Sequence, residues 1–404
     1  MKKLTTSELV MYILLFLFAA NFINMESRLI LIVAVSVFIL TSPRFYLDFG
    51  FEAILIFSLV FYLMSVYYHP EYLTYYLIPY LLAPGLGYLA GNKIYKINHT
   101  SQNINASIRS VTLIIVLGRF AHGLLNLLVS GGYQTYNRNG IDVWTNSVLA
   151  ATGQGALITL SISLLFYSVF VLKWREAKSS KLILVGSVIL SIYNSIMTAS
   201  RTALIVMVIV LIINIIYMIF SSDMGIKKKT GRLLIIAIVC VGSYVLFVNN
   251  VLRIYDKWES SPLYERMNLS TGYLEGDENR VNSIKETLTN AWDLPFGDGS
   301  LDTAHNLWLD VLKQVGWIPF LLLVIFTVFA IKQVVDIMCS KNVSKDNKFL
   351  ILSVTSAFVI NFAVEPIFKG MPYYFVSFCI FIGMLHGGIR IEKNLKRIRE
   401  KRLS

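Results

Sequence analysis

The chain has 404 residues, is 56% hydrophobic and only 15% charged, and has a mean hydropathy of +0.64. Soluble domains run at about 45–50% apolar and about 25% charged, so a soluble globular domain is excluded and a polytopic membrane protein is expected. The net charge of +12 sits on Lys and Arg in short connections between apolar runs, a positive-inside pattern that argues against a nucleic-acid partner.

About twelve membrane spans are expected, near 9–24, 28–41, 51–68, 73–91, 107–130, 147–172, 182–199, 203–220, 233–249, 307–335, 349–364 and 373–389. They are expected to be helices, giving an all-α polytopic fold, because alternating strands of about ten residues are absent. Met1-Lys2-Lys3 and the apolar run after it resemble a signal peptide. No small-x-small cleavage site follows, so the first helix is expected to stay uncleaved. Basic residues fall on alternate connections: Lys2/Lys3, Arg44, Lys93/Lys96, Lys173 to Lys181, Lys227 to Arg232, Lys341 to Lys348 and the tail from Arg390. That places both termini in the cytoplasm and Asn249–Thr303 outside. Four regions follow: a transmembrane bundle over 1–248, a large extracytoplasmic loop with short helices over 249–306, transmembrane helices over 307–389 and a basic cytoplasmic tail over 390–404. Cys240, Cys339 and Cys379 lie in or beside apolar runs without metal-like spacing. They are expected to be buried thiols, with no metal site.

Polar groups within and between the spans come next. Arg119 and His122, three apart in the fifth span, share one helix face. Ionisable residues at that depth are functional candidates, with a buried pairing role as the other reading. The outer segment Gly131–Asn146 carries Tyr133, Tyr136, Trp144 and one basic residue, Arg138. Gly153-Gln154-Gly155 reads as close helix packing. At Thr198-Ala199-Ser200-Arg201-Thr202 a long apolar helix begins. Its free N–H groups, dipole and the Arg201 fork suit an anion such as phosphate. An ordinary capped helix with Arg201 snorkelling into headgroups is the competing reading.

The segment Asn249–Trp308 is the long polar stretch of the chain, with ten carboxylates, five Lys/Arg, and Tyr255, Trp258, Tyr264 and Tyr273. A loop of this length is uncommon unless it is functional or disordered. Asp277 reads as an N-cap, and Val281, Ile284, Leu288 and Ala291 give one apolar face at helical spacing. Arg280 then sits in the first turn of a short amphipathic helix, either as a site residue or paired with Asp277 or Glu278. Pro295-Phe296-Gly297-Asp298-Gly299 ends that helix. His305 is expected one or two residues inside the next helix, capped by Asp302 or Thr303, where the dipole favours a neutral imidazole. A structural histidine is the other reading. Asn361, Glu365 and Lys369 surround the last outer turn and can pair with one another.

Taken together, Ser200-Arg201, Arg280, Pro295-Phe296-Gly297-Asp298-Gly299 and His305-Asn306-Leu307-Trp308-Leu309 resemble the O-antigen polymerase and O-antigen ligase superfamily in order, spacing and sidedness. The resemblance covers roughly residues 190–390; the first half of the chain is similar only as a generic set of spans. It implies a metal-independent glycosyltransferase, without cofactor, that uses an undecaprenyl-diphosphate-linked oligosaccharide in the bacterial inner membrane. Arg201 and Arg280 would hold the donor diphosphate and His305 would orient or deprotonate the acceptor hydroxyl. Ser200, Asn306, Arg138, Arg119 and Tyr273 are the further substrate-binding candidates. A polysaccharide chain-length regulator and a flippase are the implied protein partners. The leading expectation is a polymerase of O-antigen or capsular repeat units. A ligase to lipid A-core uses the same residues, and a lipid-linked oligosaccharide flippase or other transporter is the alternative of a different class.

Overall fold

The computed structural model describes residues 6–27, 47–94, 101–131, 139–173, 178–221, 225–268 and 270–403, with side chains described in all of these except 6–8, 26–27, 101–103, 228, 270–279 and 394–403. The main helices in chain order are α1 (Thr6–Ala19), α2 (Phe49–Tyr68), α3 (Ala83–Lys93), α4 (Ser101–Val129), α5 (Ala151–Ile162), α6 (Lys178–Met197), α7 (Arg201–Phe220), α8 (Ile226–Val248), α9 (Pro262–Asn268), α10 (Ser270–Asn290), α11 (Leu307–Val315), α12 (Trp317–Cys339), α13 (Lys345–Val364) and α14 (Pro372–Leu403). One short antiparallel hairpin, Asn139–Ile141 with Val148–Ala150, lies in the segment before α5.

Nine helices among the described residues are long and apolar enough to cross a membrane. They match eight of the expected spans directly, and Trp317–Cys339 answers the one expected at 307–335. That span begins later than the hydropathy suggests because Gly316, at φ +82°, breaks the helix between α11 and α12. Pro319 then falls in the first turn of α12, where its missing N–H is harmless. The apolar part of α1 is only Leu9–Ala19, and the expected span at 73–91 is three consecutive pieces, Leu73–Tyr76, a π-turn over Leu77–Leu82 and α3. The expected span at 28–41 lies outside the described residues. Of the cysteines, Cys379 is buried, whereas Cys240 and Cys339 lie exposed on apolar helix surfaces, so burial was misjudged for two of three. Hydropathy reports that a helix is apolar without reporting whether protein or lipid covers it.

Packing divides the chain into two units, Met1–His122 with Asn279–Ser404, and Gly123–Glu278; the boundaries fall inside α4 and α10. In the first unit α3 lies against α14 at backbone contact, because Gly91 and Gly383 present no side chain where the two helices cross. An aromatic cluster joins α2 to the far end of α14. Phe57, Phe61 and Phe375 surround Phe368, with ring centroids 5.9, 5.0 and 5.1 Å away. Tyr80 donates its phenol to the Phe368 carbonyl. Burying a Phe side chain contributes about 1.5–3 kcal/mol, so the turn Ile367–Gly370, which carries Phe368, is held firmly.

In the second unit α5 packs against α6 and α7. Gln154 donates to the carbonyl of Gly123 and to Asn194 Oδ1 (3.3 Å), and Asn126 donates back to Gln154 Oε1 (3.4 Å). These buried amides satisfy one another, and the expected packing role of Gly153-Gln154-Gly155 is what the helix shows. By contrast, the most apolar window of α8 buries none of its residues. A helix apolar on all sides and covered by no protein belongs in lipid.

Candidate functional site

In the first unit the Pro295–Gly299 turn docks on the C-terminal end of α11. Gly297 (φ +84°) and Gly299 (φ +67°) allow the turn to lie along the end of α11, where Asp298 N donates to Lys313 O (2.9 Å) and Gly299 N to Gln314 O (3.1 Å). Trp317 N donates to Pro295 O at 3.0 Å. The turn therefore satisfies backbone groups that the Gly316 break exposes. A Cβ on Gly297 would sit 2.6 Å from the Gln314 carbonyl carbon. From α2, Tyr68 donates its hydroxyl to the carbonyls of Phe296 (3.1 Å) and Gly297 (3.2 Å). His69 Nε2 meets Gly299 O at 2.6 Å, so Nε2 carries the proton.

His305 follows. It precedes α11 rather than lying inside it, in the left-handed region at φ +55°. Asn306, not Asp302 or Thr303, is the N-cap: its Oδ1 accepts from Trp308 N and Leu309 N, both at 3.2 Å. Its Nδ2 donates to Ala363 O at the end of α13 (3.2 Å). Asp310, one turn into α11, reaches back so that Oδ1 accepts from Ala304 N at 2.6 Å. Burial pushes the Asp310 carboxyl up to about 7, against the pull of the Ala304 and Asn306 amides, Lys313 and Lys369. Sequence reasoning missed Asp310: it stands at N4, one residue past the N3 position of a capping box, and its bond to Ala304 reaches beyond the cap.

Two cations act on the imidazole. Burial first, then the charges of Arg280 and Lys369, lower the His305 pKa from 6.5 to about 4. The neutral ring expected from sequence therefore has a different main cause, desolvation, rather than the helix dipole. Its Nδ1 is buried and has no hydrogen-bond partner among the described residues. Lys369, next to the anchored Phe368, donates its ammonium to Leu301 O at 2.6 Å. Arg280 is half-buried on α10. That helix begins at Ser270, so Arg280 lies in its middle and not in a first turn capped by Asp277. Ser283 Oγ donates to Thr303 O (3.3 Å) and docks the helix beside the His305 turn. The apolar face expected of α10 is also corrected: Ala291 is buried and Ile284 half-buried, but Val281 and Leu288 are exposed, and Thr287, one turn before Ala291, is buried.

The second unit holds Ser200-Arg201. Ser200 is the N-cap of α7 and accepts from Ala203 N (3.4 Å), while Arg201 is half-buried at the first helical position. A Cβ on Gly155 would lie 2.8 Å from Ser200 Oγ, so α5 approaches this cap closely. Arg266 of α9, which sequence reasoning did not single out, donates to Ala199 O at 2.6 Å and fixes the left-handed residue (φ +51°) before the cap. A capped helix N-terminus with an Arg at its first position is the kind of arrangement that suits a phosphate.

Arg119, Arg138 and Tyr273 remain. Arg119 is buried against α14 in the first unit: Nη2 donates to Tyr373 O (2.8 Å) and Ser377 Oγ (2.7 Å), and the guanidinium lies over Phe18 (5.5 Å). This is the buried pairing role named among its two readings. Arg138 lies outside the described residues, and the Tyr273 side chain outside the described side chains. Scans against protein-family models and curated proteins returned no match to this chain.

Proposed function

We propose that this is a membrane glycosyltransferase that joins polyprenyl-diphosphate-linked oligosaccharide repeat units, a polymerase of O-antigen or capsular type acting at the outer face of a bacterial inner membrane. The observation that carries the reading is an imidazole kept neutral beside cations: burial first, then the charges of Arg280 and Lys369, lower the His305 pKa to about 4. Beside it stands the resemblance of the chain's short motifs to the polymerase and ligase superfamily.

The chemistry asks for this combination. The acceptor hydroxyl oxygen attacks the anomeric carbon, the bond from that carbon to the diphosphate oxygen breaks, and the hydroxyl proton passes to the imidazole. The leaving diphosphate gains negative charge, which guanidinium and ammonium groups stabilise. An imidazole at about 4 is a weak base while the site is empty. A bound diphosphate offsets the Arg280 and Lys369 charges and raises the ring toward its ordinary value. The donor would thereby switch on the base that uses it. Ser200-Arg201, with its capped helix N-terminus, suits phosphate by its own geometry.

The test uses cells lacking the gene, complemented with Arg201→Ala, Arg280→Ala or His305→Ala at matched membrane levels. Polysaccharide reduced to single repeat units supports the reading. Unchanged long polymer in all three variants overturns it, and full-length polymer that fails only to reach its lipid core points instead to a ligase.

A further inference from the structure

Between Arg280 and Trp292, α10 and the turn after it show three sectors. Successive residues are rotated by about 100°. Ser283, Thr287 and Ala291 share the side docked on the first unit, where Thr287 and Ala291 are buried and Trp317 Nε1 donates to Ala291 O at 2.8 Å. Arg280 falls on that same side. Val281, Leu288 and Trp292 fall within about 40° of one another on a second side. They are 49%, 51% and 77% exposed. Asn282, Glu286, Thr289 and Asn290 form a third, exposed and polar side. Lys285 sits where the second and third sides meet.

The exposed apolar side does not end with the helix. Leu294 and Phe296 just after it are exposed as well, and the Trp292 ring packs against Trp317, the first residue of α12, with centroids 5.0 Å apart and planes tilted by 40°. From there it continues into the exposed stripe Ile318, Leu321, Ile325 and Val328 of α12, a helix long and apolar enough to cross a membrane. A helix with protein on one side, an apolar strip on the second and polar groups on the third meets its three environments at once only at a membrane surface.

We propose that the Val281–Trp292 segment lies along the bilayer interface, its apolar side in the headgroup–acyl boundary. Trp292 and Trp317 sit at the depth favoured by interfacial tryptophans. Lys285 lays its stem along the apolar strip and keeps its ammonium among phosphates. The occupant of the patch is lipid, because the Trp292–Trp317 contact joins the strip to the exposed apolar stripe of α12. This inference rests on α12 crossing the membrane and not on glycan transfer. Its consequence for the site is that Arg280 is held at headgroup depth.

The test is nitroxide scanning of the full chain in phosphatidylethanolamine/phosphatidylglycerol nanodiscs, with Cys240, Cys339 and Cys379 replaced and single cysteines placed at 281, 282, 286, 288, 289 and 292, and at 325 as a lipid-facing reference. Oxygen accessibility should exceed that of a water-soluble nickel chelate at 281, 288 and 292, and the order should reverse at 282, 286 and 289. Chelate access at 281, 288 and 292 equal to that at 286 overturns the proposal. Low access to both reagents there overturns it too, since protein would then cover the patch. A second measurement leaves α10 unlabelled: lipids brominated near the headgroup should quench a fluorescence component that Trp292→Phe removes, and an unchanged quenched fraction counts against lipid contact. Either failure leaves the His305 chemistry to be judged by its own assay.

Discussion

Asp310 accepts a 2.6 Å hydrogen bond from the amide of Ala304, the residue before His305. The pair closes the turn that holds His305 at positive φ, and it gives the site two titrations of opposite sign. Asp310 titrates near 7 in the folded chain against an ordinary 3.8, so the folded state binds that proton more tightly and loses stability as pH rises from about 4 to about 7. His305 titrates near 4 against 6.5, so the stability it contributes above 6.5 is lost as pH falls toward 4. The two slopes oppose each other between about pH 4 and 6.5. Asp310→Asn leaves only the His305 slope, and its thermal midpoint in detergent should fall further than that of the unaltered chain between pH 7 and pH 5. Its hydrogen bond to Ala304 survives, because the Asn amide oxygen still accepts. Identical pH slopes in the two proteins would show that Asp310 does not titrate in this range.

His305 carries two separable demands, a left-handed backbone and an imidazole. Asn tolerates positive φ better than other non-glycine residues but offers no base. His305→Asn should therefore keep membrane levels and unfolding temperature close to those of the unaltered chain while polymer is lost, a fall in rate of about 10²–10⁴ for removal of a general base. His305→Val should lose both, since a β-branched residue is a backbone outlier there. Polymer made by His305→Asn at normal chain length would remove the ring from the chemistry.

Removing either cation beside the ring should leave His305 more basic. Arg280→Gln and Lys369→Gln each delete a charge that lowers its pKa, so the acid limb of a transfer assay should move to higher pH in both, and saturating turnover should drop because the diphosphate loses a partner. Lys369→Arg should restore most of the rate. An acid limb that stays in place in both variants would mean that the limb reports a group other than His305.

What the sequence makes legible is what is decided locally. The Ser200 cap and the start of α7 follow from a hydroxyl before an apolar run, whereas the Gly316 break lies inside a run that hydropathy joins into one span. The site's supports are less local. Tyr68 and His69 hold a turn 228 and 230 residues away in the chain, and nothing around them in sequence marks that task. Lys369 reads as a partner for Glu365 or Asn361, yet the buried Phe368 beside it turns its ammonium to Leu301. The α10 helix misled for a different reason. Apolar spacing identifies Val281, Ile284, Leu288 and Ala291 as one set, but Ala291 is buried with Thr287, Ile284 is half-buried, and Val281 and Leu288 face outward, so the set is split between two sides. Periodicity gives the angle of a residue around a helix, not the medium it meets.

The Gly316 break supplies the most direct test of the scaffold. Gly316 has φ +82°, and a Cβ there would run into the Pro295 carbonyl. Gly297 on the facing turn has φ +84° and equally little room. Gly316→Ala therefore adds backbone strain of about 1–3 kcal/mol to a steric clash, and it drives the Pro295–Gly299 turn off the end of α11. Because Tyr68 and His69 hold that turn from α2, the loss should reach beyond the turn itself. Membrane levels of Gly316→Ala should fall severalfold, with polymer length falling in proportion to the protein that remains. Gly370→Ala, at a glycine with open space around the added Cβ and no positive φ, should be indistinguishable from the unaltered chain. If Gly316→Ala accumulates normally and unfolds at the unaltered temperature, the docking of the Pro295–Gly299 turn against the helix break is not what holds the His305 region together.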